Sequence, residues 1–202
     1  MAQIGLQYMV CAPLNEDGKT YGPGRVIAQA ISVNISLNFN TADLWGDDRK
    51  IDLIREFNEG TITLGGDYIS FENRELLLGS EHVKAENGQP ERLISRIDDD
   101  GQFVGIGFFS TTRANASSKY RAIWLTKTKF SATGETLETK SGGTSFQTPS
   151  LEGSILANED GIWKEEAFLK TPAEAKAWLQ KMANIDPVGP VAATLVKKPK
   201  EA

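Results

Sequence analysis

The sequence predicts a mainly β fold, a β-sandwich or strongly curved, barrel-like sheet, with one short internal helix and one C-terminal amphipathic helix. Three observations carry this. Apolar residues alternate with polar ones over several segments, the period of a half-buried strand. Turn chemistry separates those segments. The strict strand–helix alternation that a parallel α/β sheet requires is missing.

In chain order, Ile4 to Ala12 reads as a short strand, and Asn15 to Gly18 as the turn that ends it. Arg25 to Phe39 reads as one long half-buried strand, with Ile27, Ile31, Val33, Ile35 and Leu37 on one face. Thr41 to Asn58 fits neither period, so a long loop is expected at about residues 41–58. Its large apolar residues, Leu44, Trp45, Ile51, Leu53, Ile54 and Phe57, are more than a solvated loop holds comfortably. Gly60 to Leu64 is a further short strand. Phe71 to Leu78 reads as a helix stopped by Gly79. Val83 to Arg96 is strand broken by an Asn87-Gly88 turn.

Gln102 to Phe109 and Tyr120 to Phe130 are two more strands. Gly105 and Gly107 in the first point to a bulge or a close backbone approach. Phe146 to Ala157 and Ile162 to Leu169 flank Asn158-Glu159-Asp160-Gly161, which predicts a hairpin. Thr171-Pro172-Ala173-Glu174 then has the parts of a helix start: a capping hydroxyl, a proline at the first helical position, and a carboxylate to close the capping box. Ala175, Trp178, Leu179 and Met182 follow at helical spacing and form an apolar face that must dock. Residues 1–184 are therefore expected to form one domain, and residues 185–202, with three prolines and no helical period, a flexible tail.

Composition narrows the function. The chain has 202 residues, enough for one well-buried domain, with 40% hydrophobic and 24% charged residues. No apolar run approaches a membrane span, and MAQIGLQYMVCAPL lacks the basic region of a signal peptide. Lys and Arg total 22 against 27 Asp and Glu, a net charge of −5 that is a poor basis for gripping a phosphate backbone.

Catalytic chemistry has little to work with. Cys11 is the only cysteine and His82 the only histidine, so a zinc site, a Cys–His pair or a serine triad has almost no material. Cys11 reads as a buried thiol, and His82 as a surface residue beside a turn. Gly18-Lys19-Thr20 has the ending of a phosphate loop, but Pro13 stands where its first glycine should be. The acidic turns at Asp98 to Gly101 and Asn158 to Gly161 are incomplete as calcium loops: position 12 would be Gly107 or Ala167. Glu165 and Glu166 are neighbours on a strand and point to opposite faces. The expectation is a protein with no catalytic, cofactor-binding or metal-binding residues, not an enzyme.

The ordered set of segments carries a resemblance. IGLQYMVCAPLNEDG, YGPGRVIAQAISVNIS, GTITLGGDYIS with ENRELLLG, FVGIGFF, YRAIWLTKTKF, FQTPSLEGSI, DGIWKEEAFL and the helix ending in AWLQ recur in this order over residues 3–184. Together they resemble the major tail protein, the tail tube subunit, of long-tailed, siphovirus-type phages and prophages of Gram-positive bacteria. The resemblance implies a β-sandwich that assembles into hexameric rings stacked as a hollow tube, through which DNA passes without specific binding. It implies further copies of the chain as partners, along with tape measure, terminator and distal tail proteins. It places the chain in the virion tail, and in the host cytoplasm during assembly. The apolar residues Leu44, Trp45, Ile51, Leu53, Ile54 and Phe57 are the expected subunit interface. The alternative is a carbohydrate- or cell-surface-binding β-sandwich using aromatics such as Trp45 or Trp163 as stacking platforms.

Overall fold

A computed structural model of the chain describes residues 2–46, 49–86, 88–114, 117–134 and 149–186. The fold is mainly β with two helices. In chain order the elements are β1 (Ala2–Pro13), β2 (Arg25–Ala28), β3 (Ala30–Gly46), β4 (Arg49–Gly66), α1 (Phe71–Leu78), β5 (Glu81–Val83) and β6 (Arg92–Ile94). There follow β7 (Val104–Ala114), β8 (Ser117–Ser131), β9 (Ser150–Leu156), β10 (Lys164–Leu169) and α2 (Pro172–Met182). Eight strands form one antiparallel sheet in the order β2-β1-β7-β8-β9-β4-β3, with β10 also on β8, while β5 and β6 pair separately.

The sheet curls over a shared core. Met9 and Cys11 of β1, Val104 and Ile106 of β7 and Leu125 of β8 are buried in one cluster with Ile62 and Leu64 of β4 and Ile155 of β9. Alternate residues of the same strands (Val10, Ala12, Phe109, Ala122 and Trp124) pack on the opposite side against Ala175 and Leu179 of α2. The apolar face read from the helix sequence docks there. Thr171 caps α2 by accepting from the Glu174 N–H (3.2 Å). The Glu174 carboxylate takes the Lys170 N–H (3.0 Å), one residue ahead of the cap. Gly105 and Gly107 leave room for the Trp124 ring: a Cβ on either would lie within 2.6 Å of it. β7 also shifts register against β8 between Val104 and Ile106.

Three expectations are corrected. Arg25 to Phe39 is two strands, broken at Gln29, where the chain passes from one end of the sheet order to the other. Gln29 is held at that corner: its N–H donates to Asp67 Oδ1 (2.8 Å) and its carbonyl accepts from the Asp67 N–H (3.2 Å). The predicted hairpin around Asn158 to Gly161 does not form. β9 and β10 instead line up end to end on one edge of β8, Leu156 opposite Lys127 and Lys164 opposite Leu125. The turn between them is real, closed by Asn158 N–H to Ile162 O (2.9 Å), but it is an excursion. Thr126 spans the gap by donating its N–H to Trp163 O (3.2 Å). Thirdly, the long loop expected at 41–58 is strand over residues 41–46 and 49–58, the outer part of the β3–β4 pair. The tail expected at 185–202 lies, beyond Asp186, outside the described residues.

Candidate functional site

β9 pairs with β4 only from Gly60 to Gly65. Beyond that point β3 and β4 run on together as a two-stranded arm, from Phe39 opposite Phe57 out to Gly46 opposite Arg49. Cross-strand pairing fixes which side chains share a face. Phe39 with Phe57, Thr41 with Arg55 and Asp43 with Leu53 make one face; Asn40 with Glu56, Ala42 with Ile54 and Leu44 with Asp52 make the other. Asn58 and Ile51 have no opposite number, because the register shifts between Asn38 and Phe39 and again between Leu44 and Trp45. Those two extra residues hide the strand period in the sequence.

The six residues expected at an interface fall into groups. Leu44 (59% exposed), Ile51 (66%), Leu53 (48%) and Ile54 (56%) stand on the arm with about half or more of their surface in solvent. Leu53 lies on one face and Leu44 with Ile54 on the other, so the structure does not gather them into one patch. Trp45 pairs through its backbone with Lys50, and its side chain is outside the described residues. Phe57 is half-buried at the root. It stacks on Trp163 with ring centroids 4.7 Å apart, and Phe39 meets it edge-on at 6.0 Å. Arg55 lies over the Phe39 ring at 5.4 Å. Phe39 and Ala42 also belong to the arm and were not anticipated.

An open cleft of about 630 Å³ lies beside the root of the arm. Ile4 and Leu6 of β1 and Val33 and Ile35 of β3 line it, together with the buried Phe108 and Ile123. Arg121 and Lys164 also line it. Both hold Glu166: Arg121 donates from Nε (3.0 Å) and Nη2 (2.7 Å), and the Lys164 ammonium pairs with the same carboxylate. Those hydrogen bonds, led by Arg121, keep the Glu166 pKa below its ordinary value.

The remaining titratable groups are structural. Cys11 is fully buried, which pushes its thiol up to about 12. The His82 ring is only 3% exposed rather than a surface group: it packs edge-on to Phe71 and sits 2.7 Å from Glu91 Oε1. At the Asn15–Gly18 turn, Asp17 accepts from the N–H groups of Lys19 and Thr20 (2.9 Å each) and from the Thr20 hydroxyl (2.6 Å). A carboxylate therefore occupies the place a phosphate would need. Among the described residues no three His, Cys, Asp or Glu side chains converge as metal ligands, and no helix is long and apolar enough to cross a membrane.

What this arrangement can do is present apolar surface on a two-stranded ribbon, next to an apolar slot that no described residue fills. No family model matches the sequence, and no curated protein matches it.

Proposed function

We propose that the chain is a structural virion protein, the tail tube subunit of a siphovirus-type phage or prophage. It self-assembles into hexameric rings, and the stacked rings form the hollow conduit for DNA ejection. The observation that carries this reading is the arm, with Leu44, Ile51, Leu53 and Ile54 exposed on a ribbon held at its root by the Phe39–Phe57–Trp163 stack. A two-stranded ribbon is marginal alone in water, and apolar groups on both its faces gain from being covered. The subunit interface is assigned to Leu44, Trp45, Ile51, Leu53, Ile54 and Phe57 on this ground together with the sequence resemblance. The net charge of −5 suits a wall along which DNA slides without sticking. Tape measure, terminator and distal tail proteins are the further partners. A glycan-binding role has less support, since the Trp163 ring is stacked on Phe57 rather than offered as a platform.

Negative-stain electron microscopy of the concentrated protein tests the reading, with hollow rods or six-fold rings expected. Replacing residues 43–53 by Asn-Gly, which joins the paired positions Ala42 and Ile54 through a tight turn, should abolish stacking and leave the melting temperature within a few degrees. A native chain that stays monomeric at every concentration overturns the proposal.

A further inference from the structure

We propose that the outer half of β1, residues 2–7, is a strap that opens as one unit about Tyr8, and that α2 holds it shut. When it opens, the outer half of β7 becomes a free pairing edge. The inference stands apart from the tube reading and is tested without it.

Pairing and burial set the boundary of the strap. β1 lies along β7 from Ala2 opposite Arg113 to Pro13 opposite Val104. Among the described residues only Met9, Val10 and Cys11 are also paired with β2, so the outer half is held along one edge. Burial changes at the same place. Met9 to Ala12 have no accessible surface, whereas Ile4 is 55% exposed and Gly5 and Gln7 are exposed with it. Leu6 packs partly against the core. A segment with few buried contacts and one-sided pairing lies at the low end of local stability.

The backbone supplies a hinge. The register against β7 slips twice, between Ile4 and Leu6 and between Gln7 and Val10. A positive φ falls in each slip, Gly5 at φ 70 and Tyr8 at φ 56. Glycine adopts that region freely, but a tyrosine is strained there by its Cβ. Gly5 therefore bends the strap without penalty, while Tyr8 stores strain at its base. Opening lets Tyr8 return to extended backbone.

The Tyr8 ring opposes that release. It packs against the cluster that holds Ala175 and Leu179 of α2. Lys176 Nζ lies over the ring, 4.8 Å from its centroid, and Gln180 hydrogen-bonds the hydroxyl. Both come from α2, so Tyr8 is spring and catch together, and displacing α2 frees the strap. Because β7 pairs with β8 on its other side, release leaves Phe109 to Arg113 with one open edge. Such an edge can accept an extended segment by strand addition.

Residue-resolved amide exchange of the full-length chain, followed by NMR, tests the strap. The hydrogen-bonded amides of residues 3–7 should share one protection factor, with a sharp rise between Gln7 and Val10. Protection that climbs steadily from Ala2 with no step at Tyr8 describes a fraying strand and overturns the proposal.

Tyr8→Ala keeps the strained φ and removes the ring. It should raise exchange in the strap about tenfold and leave Val10 to Ala12 unchanged. Tyr8→Gly holds the same φ without strain and should raise it less. If Tyr8→Ala does not fold, Lys176→Ala, at an exposed α2 position, should give a smaller rise confined to the same residues. Strap exchange that these variants leave unmoved, or that rises equally at Val10 to Ala12, overturns the role given to α2.

Discussion

The two ends of the sheet are built from the same strands and meet opposite fates. Around Met9, Ile62, Leu64, Val104 and Ile106 every apolar side chain has a partner layer and none is accessible to solvent. Further along β1, and out on the arm of β3 and β4, Ile4, Leu44, Leu53 and Ile54 are the same residue types in the same strand geometry, and all are exposed. Strand propensity is therefore not what separates a core from an exposed face. The difference is whether a second layer exists to cover the face. One is present at the closed end, with α2 behind it. At the open end no described layer covers the face, and apolar area left in water forgoes about 25 cal/mol per Å².

The largest effect that contrast predicts lies at the closed end. Trp124 is fully buried, with Tyr21 edge-on at 5.1 Å and the glycine backbone of β7 pressed on its ring. Trp124→Ala should cost about 3–5 kcal/mol in urea denaturation. Trp124→Phe should cost clearly less, because it keeps most of the buried ring volume. Equal losses for the two variants would mean that volume is not what the site responds to.

Phe57 sits where the two ends meet, so it should report on both. Its ring packs partly against the core and stacks on Trp163. Phe57→Ala should cost about 2 kcal/mol, less than the Trp124 truncation because burial is partial. It should also raise amide exchange in the arm more than in β7 or β8. Uniform acceleration across the chain would show that the stack supports the whole fold rather than the arm.

The residues that were legible in the sequence are those governed by local rules. Gly79 ends α1 in the left-handed region at φ 77, and the Thr171 cap opens α2, because caps are decided within a turn. The strand alternation at Ile31 to Leu37 was equally plain, whereas Tyr120 to Phe130 is buried on both faces, with Phe130 beside Ile123 and Leu125 rather than on the side of Ala122 and Trp124. Pairing was not legible. Asn158 to Gly161 has sound turn chemistry, yet β8 claims both flanking strands on one edge, a contact set by residues far away in the chain. The arm was concealed by the unpaired Asn58 and Ile51, which each flip the alternation once. The six residues proposed for the interface stood out as an apolar excess without a shape. Their division between two faces, and the cleft beside them, needed the register.

The smallest effect is expected at the rim of that cleft. Glu166 is held by Arg121 and Lys164 with about a quarter of its side chain exposed, so the pairing is worth no more than about 1 kcal/mol. The sign follows from the depressed pKa. A carboxylate held below its ordinary 4.5 in the folded chain adds stability above that pH, and the contribution is lost as pH falls through the folded value. Glu166→Gln should therefore be slightly less stable than the native chain at pH 7. The gap should begin to narrow as pH falls below 4.5 and close only below the depressed folded value, where the native side chain is neutral too. Denaturation midpoints compared across that range read it out. A gap that persists unchanged into acid would assign the loss to packing, and would leave the open end without an electrostatic clamp of its own.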